Sequence, residues 1–280
     1  MKKIIITESM IAEFTAWLKM EEKSSGTREK YIRDIIAFSR WLDGRAVSKE
    51  SGIEWKDHLL QDNYAPVTVN SMISAVNCFF RFCGIPEKIK FVRIQRNIFR
   101  EKSKELTKTE FLRLVDAAEL KGKKRLSLLM ETLCATGIRV SEIKYITLEA
   151  AKMGIATISL KGKVRTIMLP AKLCRKLIKY AKKEKIASGE IFITGKGRTL
   201  SRGQIWAEMK RLCKSAGVEA TKVFPHNLRH LFAATFYRIY KDVVRLADVL
   251  GHSSIETTRI YLTTTGEEHR LMLEQMKLVL

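Results

Sequence analysis

Two short polar clusters late in the chain hold three of its five histidines: Pro225-His226-Asn227-Leu228-Arg229-His230 and Gly251-His252-Ser253-Ser254. The second cluster runs on through Ile255-Glu256-Thr257-Thr258-Arg259-Ile260 to Tyr261. Earlier, in Ala135-Thr136-Gly137-Ile138-Arg139-Val140-Ser141-Glu142, an arginine follows a helix-ending glycine and precedes a new helix. A forked guanidinium suits an oxyanion, an imidazole moves protons near neutral pH, and a phenol relieved of its proton is a nucleophile. Singly each signal is weak, because a lone histidine is more often a surface or satisfied core residue and a lone tyrosine usually packs. Two other chemistries lack a pattern. Gly-x-x-x-x-Gly-Lys-Ser/Thr is absent, so ATP hydrolysis through a P-loop is not expected, and Gly195-Lys196-Gly197 reads only as a turn. Metal-dependent nucleases need several carboxylates around two cations. The second half holds only Asp116, Asp242 and Asp248 as aspartates, in no recognisable metal-binding pattern.

Whatever these residues do, they sit in a strongly basic chain. Its 280 residues are enough for one large domain or two ordinary ones, and 46% hydrophobic content supports real cores. The net charge is +22. Folding needs no such excess, and self-repulsion opposes it, so a polyanion is the expected partner, with nucleic acid the usual one. Residues 101–280 carry 35 Lys and Arg against 18 Asp and Glu; residues 1–100 carry 17 against 12. No window approaches the run of about 18 apolar residues that a spanning helix needs, and the start MKKIIITESM lacks a long apolar region and cleavage site. Cys78, Cys83, Cys134, Cys174 and Cys213 are scattered without a Cys-x-x-Cys pair, which fits reduced thiols in a cytoplasmic protein.

The elements that must position the clusters can be read from periodicity. Ile11, Phe14, Trp17 and Leu18 form one helical stripe; Tyr31, Ile35, Phe38 and Trp41 form a second, for which Thr27 is a plausible N-cap. A third segment runs near Trp55 to Leu60, and a fourth opens at Pro66 and Thr68, carries Ile73, Val76, Phe79 and Phe80, and stops at Gly84 and Pro86. Four such helices make a bundle. Lys88 to Lys104 is basic and aperiodic, with Arg93, Arg96, Arg100 and Lys102: a linker that lies along a phosphate backbone or is an ordinary solvated connector. Thr107 and Glu110 form a capping box that marks a new helix and a new domain. The rest reads as helical except for Ile155 to Leu160 and Val164 to Leu169, β-prone runs around Lys161-Gly162-Lys163 that signal a hairpin. The lysine-rich helix from Lys172 to Lys185 reads as a solvated face. Glu267 to Leu280 is an amphipathic tail, with Met272, Leu273, Met276, Val279 and Leu280 on one face.

In their order and spacing the polar elements resemble the tyrosine recombinase family, which includes phage integrases and Xer-type recombinases. The family pattern of Arg, hairpin Lys, His-x-x-Arg, His or Trp, and Tyr is filled by Arg139, Lys161, His226 with Arg229, His252 and Tyr261, and the flanks ATGIRVSEI, HNLRHLFAAT and LGHSSIETTRIYL fit as well. The resemblance implies a mainly α chain: an N-terminal four-helix, SAM-like core-binding domain (1–90), a basic linker (91–106), and a C-terminal α+β catalytic domain with a small antiparallel sheet (107–280). It further implies a site-specific recombinase that needs no cofactor, metal or ATP. Its partner is double-stranded DNA, gripped by two domains and contacted mostly at phosphates, with Arg93, Arg96, Arg100 and Lys163 among the contacts. The resemblance also implies a homotetramer on two paired sites with cyclic exchange of the C-terminal tail, although the tail could instead dock on its own domain. A partner recombinase or accessory protein is possible, no membrane is involved, and the expected location is cytoplasmic and nucleoid-associated. The length favours a simple Xer-like enzyme or a small mobile-element integrase over the three-domain kind.

The chemistry explains the residue types. In-line attack on a phosphodiester develops charge on its non-bridging oxygens, which Arg139 and Arg229 can clamp with forked, charge-assisted hydrogen bonds. A phenol with a pKa of about 10 is roughly one-thousandth ionised at neutral pH. Tyr261 therefore needs a proton acceptor, and the resemblance gives His226. His252 is expected to hydrogen-bond the phosphate, and His230 either braces the site or acts in it. Glu142, three residues after Arg139, is placed to orient that arginine or His230. The leaving 5′-oxygen needs a general acid: Lys161, with Lys163 the runner-up. A type IB topoisomerase and a catalytically silent DNA-binding protein are the rival readings.

Overall fold

The computed structural model describes residues 4–95, 102–160, 163–261 and 266–276. Arg96, Arg100 and Lys161 lie outside the described residues, as does the side chain of Lys163. The chain divides into two compact units, Met1–Arg96 and Asn97–Leu280.

In the first unit four helices bury the stripes read from the sequence: α1 (Glu8–Met20), α2 (Ser25–Leu42), α3 (Lys49–Gln61) and α4 (Pro66–Phe82). Each start has a local cause. Thr7 accepts the Met10 N–H, Ser48 and Ser51 cap one another, and Pro66 opens α4. For α2 the cap is Ser24 rather than Thr27: its hydroxyl accepts the Thr27 N–H at 3.4 Å, and Gly26 is accommodated inside the first turn. Phe14, Phe38, Trp55, Ile73, Phe79 and Phe80 are all but fully buried. Each such side chain contributes about 1.5–3 kcal/mol by leaving water. The expected linker begins later than its aperiodic sequence suggests. Asn77 donates to the Ile89 carbonyl and accepts its N–H (3.0 and 2.8 Å), and Asn70 does the same with Val92 (2.9 and 2.7 Å). Two side-chain amides thus pair an extended segment to α4 in place of a strand partner. Arg93, one residue on, is exposed.

In the second unit the Thr107–Glu110 capping box is formed in both directions and starts α5 (Lys108–Leu120). The centre is α6 (Lys124–Thr136), buried almost all round through Leu126, Leu128, Leu129, Met130 and Leu133. A helix this apolar must be wrapped, and α5, α8 (Ala171–Lys183), α9 (Arg202–Lys210) and α11 (Pro225–Tyr240) pack on it. Between them lie the 3-10 segment Val140–Tyr145, α7 (Leu148–Met153), and the antiparallel pair β1 (Ile155–Leu160) and β2 (Lys163–Met168). β2 starts one residue earlier than the sequence suggested, because Leu160 pairs with Lys163. The lysine-rich face of α8 is solvated, while Leu173, Leu177 and Ala181 on the other side are buried. The short α10 (Cys213–Ala216) precedes α11, and α12 (Val243–Leu250), α13 (Ile255–Arg259) and α14 (Gly266–Gln275) complete the unit. Among the described residues no helix is long and apolar enough to cross a membrane.

Candidate active site

Three chain turns converge on one buried guanidinium. α6 ends at Gly137, whose left-handed backbone (φ +63°) lets the chain reverse toward Arg139; a Cβ there would run into the ring of Phe232 on α11. The freed Gly137 carbonyl accepts Arg229 Nη1 at 2.6 Å. Arg229 projects from near the N-terminal end of α11 and is 1% exposed. Its Nη2 donates to the Leu250 carbonyl at the end of α12 (2.8 Å) and meets His252 Nε2 at 2.8 Å. A lone buried charge costs several kcal/mol. Here two helix C-terminal ends, each with partial negative charge, offset that cost. Burial, then Arg139, lowers the Arg229 pKa to about 10, against the pull of Tyr261, which interacts with the same guanidinium. It remains protonated at neutral pH.

The arginine assigns the proton on His252. A guanidinium only donates, so Nε2 accepts, and Nδ1 carries the hydrogen toward Thr258 Oγ1 at 2.9 Å. Burial followed by Arg229 lowers the His252 pKa to about 4, so this ring is neutral. α13, capped by Ser254, brings Tyr261 back onto the site, and the Tyr261 N–H bonds the Thr258 carbonyl at 3.0 Å. The Tyr261 ring is 5% exposed. It lies parallel to His252 (centroids 6.0 Å apart, 15°) and edge-on to His230 (4.6 Å, 70°). His230 also meets His226 edge-on at 4.7 Å, so it touches both the tyrosine and the histidine expected to serve it. Desolvation pushes His230 to about 4 and lowers His226 as well, with Arg229 contributing in both cases. All three rings are therefore neutral at neutral pH, and His230 and His252 are weak bases.

Arg139 opens the second arm of the site. Its side chain is 42% exposed, and its Nη1 donates to Glu142 Oε1 at 3.0 Å while its backbone N–H donates to Oε2 at 2.7 Å. Glu142 therefore serves Arg139, one of the two partners considered. The carboxylate, 2% exposed, takes a third donor that the sequence reading missed: Arg165 Nη2 on β2, at 2.6 Å. Arg165 Nη1 reaches the Val249 carbonyl at 2.9 Å. A signal for it existed. Arg165 lies two residues before buried Ile167, on the same face of β2, and pairs with buried Ile158, which places a charge on the inward face of the hairpin.

In front of these groups lies a cleft of about 540 Å³ lined by Arg139, Arg202, Trp206, His226 and Arg229. Arg202 and the half-exposed Trp206, on α9, were also missed. Arg139 and Arg165 share the single carboxylate of Glu142, and Arg229 is held by carbonyls and His252, so the site carries uncompensated positive charge beside neutral histidines and a phenol. The structure brings together Arg139, Glu142, His226, Arg229, His230, His252 and Tyr261.

Such an arrangement sets an anion-binding cleft lined by guanidinium groups beside neutral imidazoles and a buried phenol. Residues 104–268 match the phage integrase family, and residues 11–83 match the phage integrase N-terminal SAM-like domain. The chain belongs to the phage integrase family and is a tyrosine recombinase. It is 29% identical over 280 residues to the tyrosine recombinase XerA of Thermococcus kodakarensis, covering 96% of each protein. A crystal structure of XerA recombinase shares the fold at 22% identity, with a TM-score of 0.54 over 98% of this chain and 100% of that one. A lambda integrase tetramer bound to a Holliday junction aligns with a TM-score of 0.70 at 20% identity, over 90% of this chain and 76% of that one.

Proposed function

We propose that this protein is a site-specific DNA recombinase in which Tyr261 attacks the scissile phosphate, forming a 3′-phosphotyrosyl bond and releasing a 5′-hydroxyl. The supporting observation is the buried Arg229, held by two helix-end carbonyls and His252, with Tyr261 against it. Arg139 and Arg229 clamp the non-bridging oxygens from the cleft side. The Tyr261 proton passes to His226, by resemblance to the family, while His230 packs between that ring and the phenol. His252 keeps Arg229 aligned before DNA arrives. To donate to a phosphate through Nε2 it must first release Arg229 and exchange its tautomer. Lys161, with Lys163 as the alternative, protonates the leaving oxygen by resemblance to the family. The phosphodiester energy is kept in the tyrosyl linkage, and attack by a different 5′-hydroxyl completes exchange.

Duplex DNA is the partner. Residues 1–92 act as the core-binding domain, 93–106 as the basic connection with Arg93, Arg96 and Arg100 on phosphates, and 107–280 as the catalytic domain. By analogy with the lambda integrase tetramer on its junction, four copies act on two sites. Half-exposed Leu271, Leu273 and Met276 on the C-terminal tail support its docking on a neighbouring copy. A cytoplasmic, nucleoid-associated location completes the reading.

Covalent trapping tests it. Nicked fragments of the source genome are incubated with the protein and with Tyr261→Phe, in EDTA and without ATP, and resolved on denaturing gels. The expected result is an adduct on a 3′-phosphate with the wild type alone, while DNA affinity is the same for both and falls steeply with salt. Equal loss of binding in Tyr261→Phe makes the tyrosine structural. Sequencing the captured DNA identifies the site.

A further inference from the structure

We propose that Arg165 is a positioning residue for the phosphate clamp, holding Glu142 and, through it, Arg139 in register with the turn that carries His252. This rests on the reading of Arg139 as a clamp. Glu142 is a buried carboxylate whose two oxygens face three donors. Because Arg165 and the Arg139 backbone occupy Oε2, the Arg139 side chain needs only one nitrogen for Oε1. Its other N–H groups stay free for an incoming oxyanion in the cleft. Without Arg165 the buried charge of Glu142 has one guanidinium to satisfy it, and the half-exposed Arg139 is drawn back onto the carboxylate. Arg139 is long and rotamer-rich, so its aim is set by such a partner.

The second nitrogen of Arg165 reaches across to α12. Its bond to Val249 lies beside the bond from Arg229 to Leu250, at the same helix end. Gly251 follows with φ +64°, and a Cβ there would sit 2.6 Å from Arg165 Cδ and Nη1. The turn before His252 is thus shaped to admit this arginine. One forked side chain ties the hairpin, the Arg139 segment and the His252 turn together, with bonds of 2.6 and 2.9 Å.

The test compares Arg165→Gln with wild type on a nicked duplex carrying the captured site, once with an ordinary scissile phosphodiester and once with a methylphosphonate. The methylphosphonate centre is neutral, so it needs less help from a guanidinium. On the phosphodiester, adduct formation by Arg165→Gln should slow about 100-fold, the scale of an ångström of misplacement, with DNA affinity unchanged. On the methylphosphonate the variant should recover most of the wild-type rate, as Arg139→Ala should. Equal slowing on both substrates overturns the proposal, because a merely structural arginine would be indifferent to the charge of the phosphate. If Arg139→Ala itself is not rescued, the clamp reading falls and this inference with it. Should Arg165→Gln lose its folding transition or its DNA affinity, Arg165→Lys carries the same comparison. Its ammonium can pair with Glu142 but cannot also fork to Val249, and equal slowing on both substrates again refutes the role.

Discussion

The core of the first unit and the active site of the second are both buried, yet they are held in opposite ways. In the first, Phe14 meets Phe79 edge-on at 5.1 Å and Phe82 at 5.4 Å, and Phe38 meets Trp55 at 4.8 Å. Each ring touches several neighbours, and dispersion has little directional preference, so the loss of one contact is spread over the rest. In the site the arginines and His252 are held by particular partners: Gly137 and Leu250 for Arg229, Thr258 for His252, Glu142 for Arg139. Hydrogen bonds are directional, and a buried group left unpaired bears its full desolvation cost. The aromatic core therefore governs whether the chain folds, and the polar network governs whether the folded chain reacts.

The sharpest test of that contrast is a pair of variants with mirrored effects. Phe79→Ala removes a ring at the centre of the first core and should cost about 3–5 kcal/mol of stability. Below its unfolding transition, adduct formation at saturating DNA should remain at the wild-type rate. Arg229→Lys should cut adduct formation by about 10²–10³-fold, because one ammonium cannot fork to Gly137 and Leu250 while stabilising a developing charge. Thermal unfolding and trapping kinetics measured on both proteins decide the matter. A catalytic defect of that size in folded Phe79→Ala would break the comparison.

The same contrast explains what could be read from sequence. The stripes on α1, α2 and α4 were legible because a buried helix face repeats with the helical period, and so were the reciprocal Thr107–Glu110 cap and the hairpin. Arg139, Arg229, His252 and Tyr261 could be singled out from local motifs, and Glu142 could be placed beside Arg139, but the partners distant in sequence could not. Glu142 and Arg165 are 23 residues apart, and Arg229 and Gly137 are 92 apart. No periodicity records such pairings. His230 illustrates the limit: its sequence neighbours left two roles open, its contact with His226 is a local i, i+4 pair on α11, and its contact with Tyr261 emerges only when α13 folds back. The clasp of Asn70 and Asn77 was hidden for the same reason, since residues 88–92 have no pattern of their own.

Acid should separate the two regions further. Histidines of the unfolded chain take up protons near pH 6.5, whereas folded His230 and His252 resist until about 4, chiefly because they are buried. The unfolded state then binds more protons than the native state, so stability falls as pH drops from about 6.5 toward 4. Above that window these groups contribute no slope. Unfolding midpoints recorded across it should decline less steeply for His230→Gln than for wild type. An identical decline would place the acid sensitivity elsewhere in the molecule.

The smallest effect falls on the exception within the first unit. Asn77 makes two opposed hydrogen bonds to one residue, Ile89, whose side chain is 2% exposed and packs over Gly52 and Phe80. Here a directional polar pair fastens a segment onto an aromatic core. Asn77→Ala should cost about 1–3 kcal/mol, the range for leaving buried polar groups unmatched. Asn77→Asp refines the point, because a carboxylate still accepts the Ile89 N–H but turns an acceptor toward the Ile89 carbonyl. If direction matters in this unit as it does around Arg229, denaturant unfolding should show Asn77→Asp to be at least as damaging as Asn77→Ala. A harmless Asn77→Asp would mean that the accepted N–H alone secures the segment, and that even the polar clasp of this unit shares the tolerance of its aromatic core.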